Sequence, residues 1–340
     1  MTKGIKQNWP GIVPRLGVAL FALAVAVGAA ACGSSASGGD KVNLVAYSTP
    51  QQVYEDRLEP VFQKTDQGDG IDFSNSFGSS GDQSRAVEAG QPADVVEFSL
   101  EPDMTRLVDA GIVSPDWSQN QYKGIVTNSV VTLMVRPGNP KNIHSFDDLT
   151  RGDVEVIDPN PATSGGARWN IMAIYGSQIE AGNSEAQAQD FVKQVIENTS
   201  VQDDSARDSL NTFSSGKGDV LVGYENEAIQ AQQEGIDLDY VTPDSTILIE
   251  NPIAVTKDAS SAAQPFVDFL YSDEGQQAFA DAGYRPVVKS VADKNASKFP
   301  IPSGLFTIAD FGGWSKVADP FFGDDGWVTQ TEADLGAPTS

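Results

Sequence analysis

The sequence predicts an α/β fold of two lobes, each with a mixed, mostly parallel sheet flanked by helices, joined by two crossover strands. Short strand-like runs alternate with helix-like runs through most of the chain after residue 41, as expected for a parallel sheet covered by helices. Two longer runs rich in β-branched residues, 125–136 and 247–256, separate two such units. Ligands of open α/β sheets bind at the carboxyl ends of the strands, which places a site in the loops after residues 47, 76, 157 and 223.

The first unit begins with a predicted strand over residues 42–47, followed by a helix over 51–63. A second strand is predicted over 71–76, and a helix begins near Ser80. The run 93–98 is the third strand. Each strand is a short apolar run that ends in Ser, Pro or Gly, which are typical turn residues.

The alternation restarts after the first β-rich run. Further elements are predicted over residues 154–157, 167–179, 186–197, 210–213, 219–223 and 225–233, and helices over 262–271 and 274–282. This organisation predicts one lobe of residues 42–128 plus 252–340 and a second lobe of residues 129–251. The C-terminal helices are expected to pack across a lobe.

The first 31 residues predict a secretory signal peptide, because three basic residues precede an apolar stretch that ends in small residues. The stretch is short for a membrane span, which needs about 20 apolar residues. Cys32 follows directly, and a Gly/Ser-rich tether extends to residue 41. This pattern favours a lipidated Cys32 that anchors an extracytoplasmic protein to the cell membrane; ordinary cleavage after Ala-x-Ala is the alternative.

Composition excludes several functional classes. Residues 32–340 hold 47 acidic and 19 basic side chains, a formal net charge of −28, which argues against nucleic acid and anionic lipid surfaces as partners. Cys32 and His144 are the only residues of their types, which removes His-rich metal sites and leaves little for Ser-His catalysis. We expect no metal site, no cofactor and no enzyme activity. Surface charges are largely screened beyond about 8 Å. Any anion site must therefore be built from local dipoles.

The turn Ser164-Gly165-Gly166 is the strongest local signal for such a site. It lies between a predicted strand and a predicted helix. The first amides of a helix have no intrahelical acceptor, the helix dipole adds positive potential, and glycine allows close approach. The turn therefore suits a small tetrahedral anion.

Several ordered motifs give the chain a resemblance to the sulfate-binding proteins of bacterial ABC importers, within the periplasmic-type binding proteins. The motifs are Asn160-Pro161, Ser164 to Asn170, Val135 to His144, Gly218 to Ala228, Tyr271 to Gln277 and Tyr284 to Pro286. The resemblance implies the type II two-lobed fold of periplasmic binding proteins, and a monomer. It also implies capture of sulfate or thiosulfate by neutral donors, and delivery to the ABC permease subunits.

The resemblance also implies the residues that bind the anion: Ser48, Ser80, Ser164, Gly165, Gly166, Ala206 and Tyr224. Tyr224 stands where the family has a tryptophan that donates its indole N–H. Ser48 stands where the family has an aspartate that contributes its backbone amide. Asp82 and Asp204 are further departures from the family pattern. If either carboxylate faced the anion, the site would favour a protonated oxyanion such as phosphate.

Three alternatives stay open at this point. The same fold could bind thiosulfate, molybdate, tungstate or phosphate, because sequence does not measure a cavity. A hydrolase could use Ser164 as nucleophile and His144 as base, although no Gly-x-Ser-x-Gly elbow is present. A purely structural envelope lipoprotein would bind no ligand.

Overall fold

The apolar runs of the sequence form eleven strands in the part of the chain that the computed structural model describes, residues 41–336. The strands are β1 (Lys41–Tyr47), β2 (Asp72–Gly78), β3 (Val95–Glu97), β4 (Ile125–Val135), β5 (Val156–Ile157), β6 (Thr199–Val201), β7 (Val220–Tyr224), β8 (Asp239–Val241), β9 (Ser245–Val255), β10 (Arg285–Pro286) and β11 (Gly304–Phe306).

Helices connect most of these strands. They are α1 (Gln51–Val53), α2 (Glu59–Phe62), α3 (Ser80–Glu88), α4 (Glu101–Asp109), α5 (Gly165–Glu180), α6 (Glu185–Glu197), α7 (Ala206–Ser214), α8 (Glu225–Gln233), α9 (Ala263–Leu270), α10 (Asp273–Asp281), α11 (Lys289–Lys294), α12 (Trp314–Phe322) and α13 (Trp327–Leu335). A π-helical segment, Tyr54–Leu58, joins α1 to α2, and 3₁₀ turns span Phe146–Thr150 and Ile308–Phe311.

The strand order is β2-β1-β3-β9-β4-β7-β5-β6. β1 is parallel to β2 and β3, and β5 is parallel to β6 and β7. Between these two parallel groups lies the antiparallel pair β4 and β9. β4 pairs with β9 over residues 125–130 and with β7 over 131–135, so it runs from one group into the other. The predicted α/β fold with two crossover strands is confirmed, and the lobe boundaries stay a prediction.

Two details differ from the pattern expected from sequence. Residues 210–213 lie within α7, where Leu210 and Phe213 are both buried. Their spacing of three residues puts both on one face of that helix. The segment after residue 300 contains strand β11 in addition to the expected C-terminal helices, α12 and α13.

The C-terminal helices pack mainly against α5 and α6. Trp314 meets Trp169 edge to face with ring centroids 4.7 Å apart, and Phe321 meets Tyr175 in the same way at 5.0 Å. α12 also contacts α4. This segment therefore contacts α4, which follows β3, and α5, which follows β5.

Within residues 41–336, no helix combines the length and apolar character needed to cross a membrane. The predicted signal peptide, the lipid-anchor residue Cys32 and nearly all of the tether lie outside the described residues.

A carboxyl group is buried in the sheet at the end of β3. Glu97 is fully buried, and the Tyr54 hydroxyl donates a hydrogen bond to its Oε2. Burial raises the pKa of Glu97 from the ordinary 4.5 to about 8, partly opposed by the hydrogen bond from Tyr54. Glu97 is therefore neutral in the folded protein at neutral pH.

This neutral carboxyl group makes stability depend on pH. Between pH 4.5 and 8 the unfolded chain releases the proton of Glu97, while the folded chain keeps it. Its contribution to stability is complete below pH 4.5 and is lost as pH rises towards 8, at up to about 1.4 kcal/mol per pH unit. We expect Glu97→Gln to remove this part of the slope when the free energy of unfolding is measured by urea titration across that range.

The exposed Glu234 offers a matched control, because Glu234→Gln makes the same chemical change at the surface. The wild type, Glu97→Gln and Glu234→Gln share all other buried acids. The pH dependence that those acids cause therefore cancels when the three stability profiles are compared. Parallel stability profiles for the wild type and Glu97→Gln would contradict the assignment.

Candidate functional site

The carboxyl ends of the parallel strands converge on one small cavity. Tyr47 ends β1 and Tyr224 ends β7, while Ser79 directly follows β2. The cavity is lined by Tyr47, Ser48, Thr49, Ser79, Ser80, Ser99, Ser164, Gly165, Gly166, Ala206 and Tyr224. All seven residues predicted to bind an anion are in this lining. Their role as ligands stays a prediction.

The cavity is small. The centre of a water molecule has about 10 Å³ in which to move, which is roughly the room that one water molecule needs. Its lining within the described chain carries hydroxyl groups and backbone amides and no charged side chain. A guest of this cavity is therefore held by neutral groups.

Four helices of the described chain begin at the cavity. Ser80 is the first residue of α3, Ala206 is the first residue of α7, and Tyr224 precedes α8. Ser164 is the N-cap of α5, and its hydroxyl accepts the Ala167 amide at 3.4 Å. The first amides of each helix have no intrahelical acceptor, and each N-terminus carries partial positive charge. This arrangement favours a bound anion.

The two glycines of the α5 turn have different roles. A Cβ atom on Gly166 would lie 3.3 Å from Ser164 Oγ, 3.5 Å from Tyr224 Cε1 and 3.6 Å from Ala206 Cβ. All three neighbours line the cavity, so Gly166 presents its Cα to the guest. A Cβ on Gly165 would instead lie 2.7 Å from Ser99 Cβ. Gly165 therefore allows the α5 turn to approach the loop after β3.

A chain of hydrogen bonds connects the hydroxyl groups of the lining. Ser80 donates its hydroxyl to Asp103 Oδ2 at 2.6 Å and accepts the Ser99 amide at 2.9 Å. The Ser99 and Tyr224 hydroxyls lie 2.5 Å apart. Burial raises the pKa of Asp103, opposed first by Arg168.

The acidic departures noted in the sequence lie away from the cavity. Asp82 is exposed, bonds Arg85 at 2.5 Å and accepts the Ser79 hydroxyl at 2.7 Å. Asp204 is also exposed. Both line a larger, charged cleft of about 1100 Å³ between α3, α4 and the C-terminal helices. Neither carboxylate faces the small cavity.

Two arginines lie behind the lining. Arg168 donates to the Pro161 carbonyl at 2.8 Å, and Arg207 donates to the Thr49 carbonyl at 3.3 Å. Neither arginine is itself part of the cavity lining. Both hold backbone that carries or adjoins the predicted ligands.

His144 lies apart from Ser164. It is exposed, and its Nε2 pairs with Asn142 Oδ1 at 2.9 Å in the turn after β4. It is not in the cavity lining that contains Ser164. Nowhere in residues 41–336 do three or more potential ligand side chains cluster in a way that could hold a metal ion.

Sequence reasoning missed Tyr47, Thr49, Ser79, Ser99 and Asp103. Tyr47 and Thr49 flank the predicted ligand Ser48, and Ser79 precedes the predicted ligand Ser80. Their position next to predicted ligands is the sequence signal that could have identified them. Ser99 and Asp103 follow a short buried strand, and their partners lie 19 to 125 residues away. No local pattern reports contacts at that separation.

Comparison with known proteins gives concordant matches. Residues 42–285 match the family model of bacterial extracellular solute-binding proteins. The sulfate-binding protein of Synechococcus elongatus is 40% identical over 332 residues, 92% of this chain and 95% of that protein. The thiosulfate-binding protein of Escherichia coli is 36% identical over 298 residues, 83% of this chain and 88% of that protein.

A solved structure extends the match to three dimensions. The sulfate-binding protein SubI from Mycobacterium tuberculosis H37Rv is 44% identical and superposes with a TM-score of 0.80. The match covers 83% of this chain and 99% of that chain. The chain therefore belongs to the family of bacterial extracellular solute-binding proteins, and within it to the group of the sulfate-binding proteins.

Proposed function

We propose that this protein captures sulfate in the small cavity outside the cytoplasm and delivers it to an ABC importer. The observation that carries the proposal is the cavity itself. Seven residues predicted as sulfate ligands line one small cavity with four helix N-termini and, in the described chain, no charged side chain. The sulfate-binding relatives support the same ligand.

A lining made of donors favours sulfate over phosphate. Sulfate carries no proton near neutral pH and requires only hydrogen-bond donors. Phosphate carries at least one proton, and a buried donor without an acceptor costs about 1–3 kcal/mol. Asp82 and Asp204, the two carboxylates that could have supplied an acceptor, lie on the larger cleft. Thiosulfate, a proton-free anion bound by one relative, is the alternative ligand.

Binding would proceed by closure of two lobes, residues 42–128 plus 252–340 and residues 129–251. The crossover strands β4 and β9 would act as the hinge. Hydrogen bonds between the two proposed lobes support this mechanism, since the Gly81 amide donates to the Thr163 carbonyl at 3.0 Å. Closure excludes water, and hydrogen bonds to the anion then act in a medium of low dielectric constant. The closed form would be the one that the permease subunits recognise.

The remaining assignments follow from this function. The protein would act as a monomer, held at the outer face of the cell membrane by a lipidated Cys32 after signal-peptide removal. It would bind and release its anion unchanged and would not be an enzyme. The separation of His144 from Ser164 supports this assignment over a serine hydrolase, and a cavity built of helix N-termini supports it over a purely structural lipoprotein.

The choice of anion is testable by thermal unfolding of the purified protein with sulfate, thiosulfate, molybdate and phosphate at several pH values. A ligand that binds only the folded state adds about 2.7 kcal/mol of stability at roughly a hundredfold excess over Kd. We expect sulfate to raise the Tm and phosphate to have little effect. A larger shift with phosphate would change the assigned ligand, and no shift with any anion would refute the binding function.

Gly166 provides a test of the site within the fold. We expect Gly166→Ala to weaken sulfate binding by more than about 100-fold, or roughly 2.7 kcal/mol, because the new methyl group occupies the space of the anion. Alanine is a better helix former than glycine, so the free energy of unfolding should fall little. Isothermal titration calorimetry and urea unfolding measure the two effects separately.

Gly152→Ala is the matched control, since Gly152 is exposed and a Cβ atom there meets nothing within 4 Å. Its sulfate affinity should equal that of the wild type. Tight sulfate binding by Gly166→Ala would show that the anion lies elsewhere.

A further inference from the structure

Ser99 joins two of the predicted ligand residues. It follows β3 and lies in the cavity lining, where only 1% of its surface is exposed. Its amide donates to Ser80 Oγ at 2.9 Å, and its hydroxyl lies 2.5 Å from the hydroxyl of Tyr224. Ser80 begins α3 and Tyr224 precedes α8, so one residue bonds predicted ligands from two different elements.

The direction of the hydrogen bond between Ser99 and Tyr224 follows from the proposed function. The distance allows either hydroxyl to donate. A Tyr224 hydroxyl that donates its single proton to the anion has none left for Ser99. In the complex with the anion, Ser99 therefore donates and Tyr224 accepts.

The backbone of Ser99 is held by two further side chains, which leaves the hydroxyl in a fixed place. The Ser99 carbonyl accepts the Trp169 indole N–H at 2.7 Å and the Asn251 amide at 3.2 Å. These bonds come from α5 and from the crossover strand β9. Removal of the Ser99 hydroxyl alone leaves all of them intact.

The Tyr224 hydroxyl is left with its proton. A tyrosine hydroxyl can donate one hydrogen bond and can also accept. Its oxygen accepts from Ser99. The proton of Tyr224 is then available to a guest in the cavity, while its oxygen is already engaged as an acceptor.

We propose that Ser99 is a specificity-determining residue, which makes Tyr224 a donor to the anion and removes it as an acceptor. The inference rests on the proposed function. An anion without a proton gains a hydrogen bond from Tyr224. The P–OH group of phosphate would have to compete with the Ser99 hydroxyl for the Tyr224 oxygen, so phosphate binds less well. Ser99 thus gives an amphoteric tyrosine the behaviour of a pure donor.

The test compares the wild-type chain with Ser99→Ala. Sulfate binding is measured by calorimetry, and phosphate and selenate are measured as competitors of bound sulfate at neutral pH. Selenate is a proton-free tetrahedral dianion, so it separates the effect of the proton from the effect of size. We expect the preference for sulfate over phosphate to fall by about tenfold or more in Ser99→Ala. The affinity for selenate should change in parallel with the affinity for sulfate.

Three further variants separate selectivity from structure. Ser99→Thr keeps the hydroxyl and should keep the preference, even if the added methyl group weakens both anions. In a Tyr224→Phe background, Ser99→Ala should change the preference no further, because Ser99 acts through the Tyr224 oxygen. Ser177→Ala removes a buried hydroxyl that bonds the Ile174 carbonyl at 2.7 Å, away from the cavity. It should leave the preference unchanged.

The outcomes are distinct. If Ser99→Ala weakens the binding of sulfate and phosphate equally, Ser99 is only structural and the inference is overturned. The same holds if phosphate displaces bound sulfate from Ser99→Ala no better than from the wild type. If the wild-type chain binds neither sulfate nor selenate, the proposed function fails first, and the inference falls with it.

Discussion

An anion must be held here without a neighbouring cation, in a chain whose residues 32–340 carry a net charge of −28. The structure meets this constraint with helix N-termini. The parallel strands of both halves of the sheet direct the starts of α3, α5, α7 and α8 to one point. The partial charges at the helix ends act on a bound anion at close range. The acidic surface has little effect on that anion, because surface charges are largely screened beyond about 8 Å. The strand order, the crossover strands and the glycine turn together bring these helix N-termini to one cavity.

The arginines near the cavity act on the backbone and not on the bound anion. Arg168 and Arg207 bind backbone carbonyls of the loops around the cavity rather than facing the cavity. Their charge is used to fix amide positions. A site that releases its anion to a transporter benefits from this arrangement, because a buried guanidinium in direct contact with a dianion would bind it very tightly.

The fold and the Ser164-Gly165-Gly166 part of the cavity lining could be predicted from local patterns, since alternating apolar runs and this turn depend on residues that are close in sequence. The resemblance to a known family supplied residues such as Ala206 and Ser48, which carry no chemical signature of their own. The partners of Ser99 could not be predicted, because Tyr224 lies 125 residues away and the pairing exists only after both loops are placed. The same holds for Trp314, whose packing on Trp169 depends on the path of the whole C-terminal segment. The ligand roles of the seven residues stay a prediction until an anion is measured.

Trp169 has a consequence for how closure can be observed. Its indole donates to the Ser99 carbonyl while its ring packs on Trp314, so it contacts the loop after β3 from α5. Any motion that separates these two elements breaks the indole hydrogen bond and admits water to the ring. Separation of the two proposed lobes at this point would change the emission of this natural tryptophan, and opening would then be visible without an attached dye.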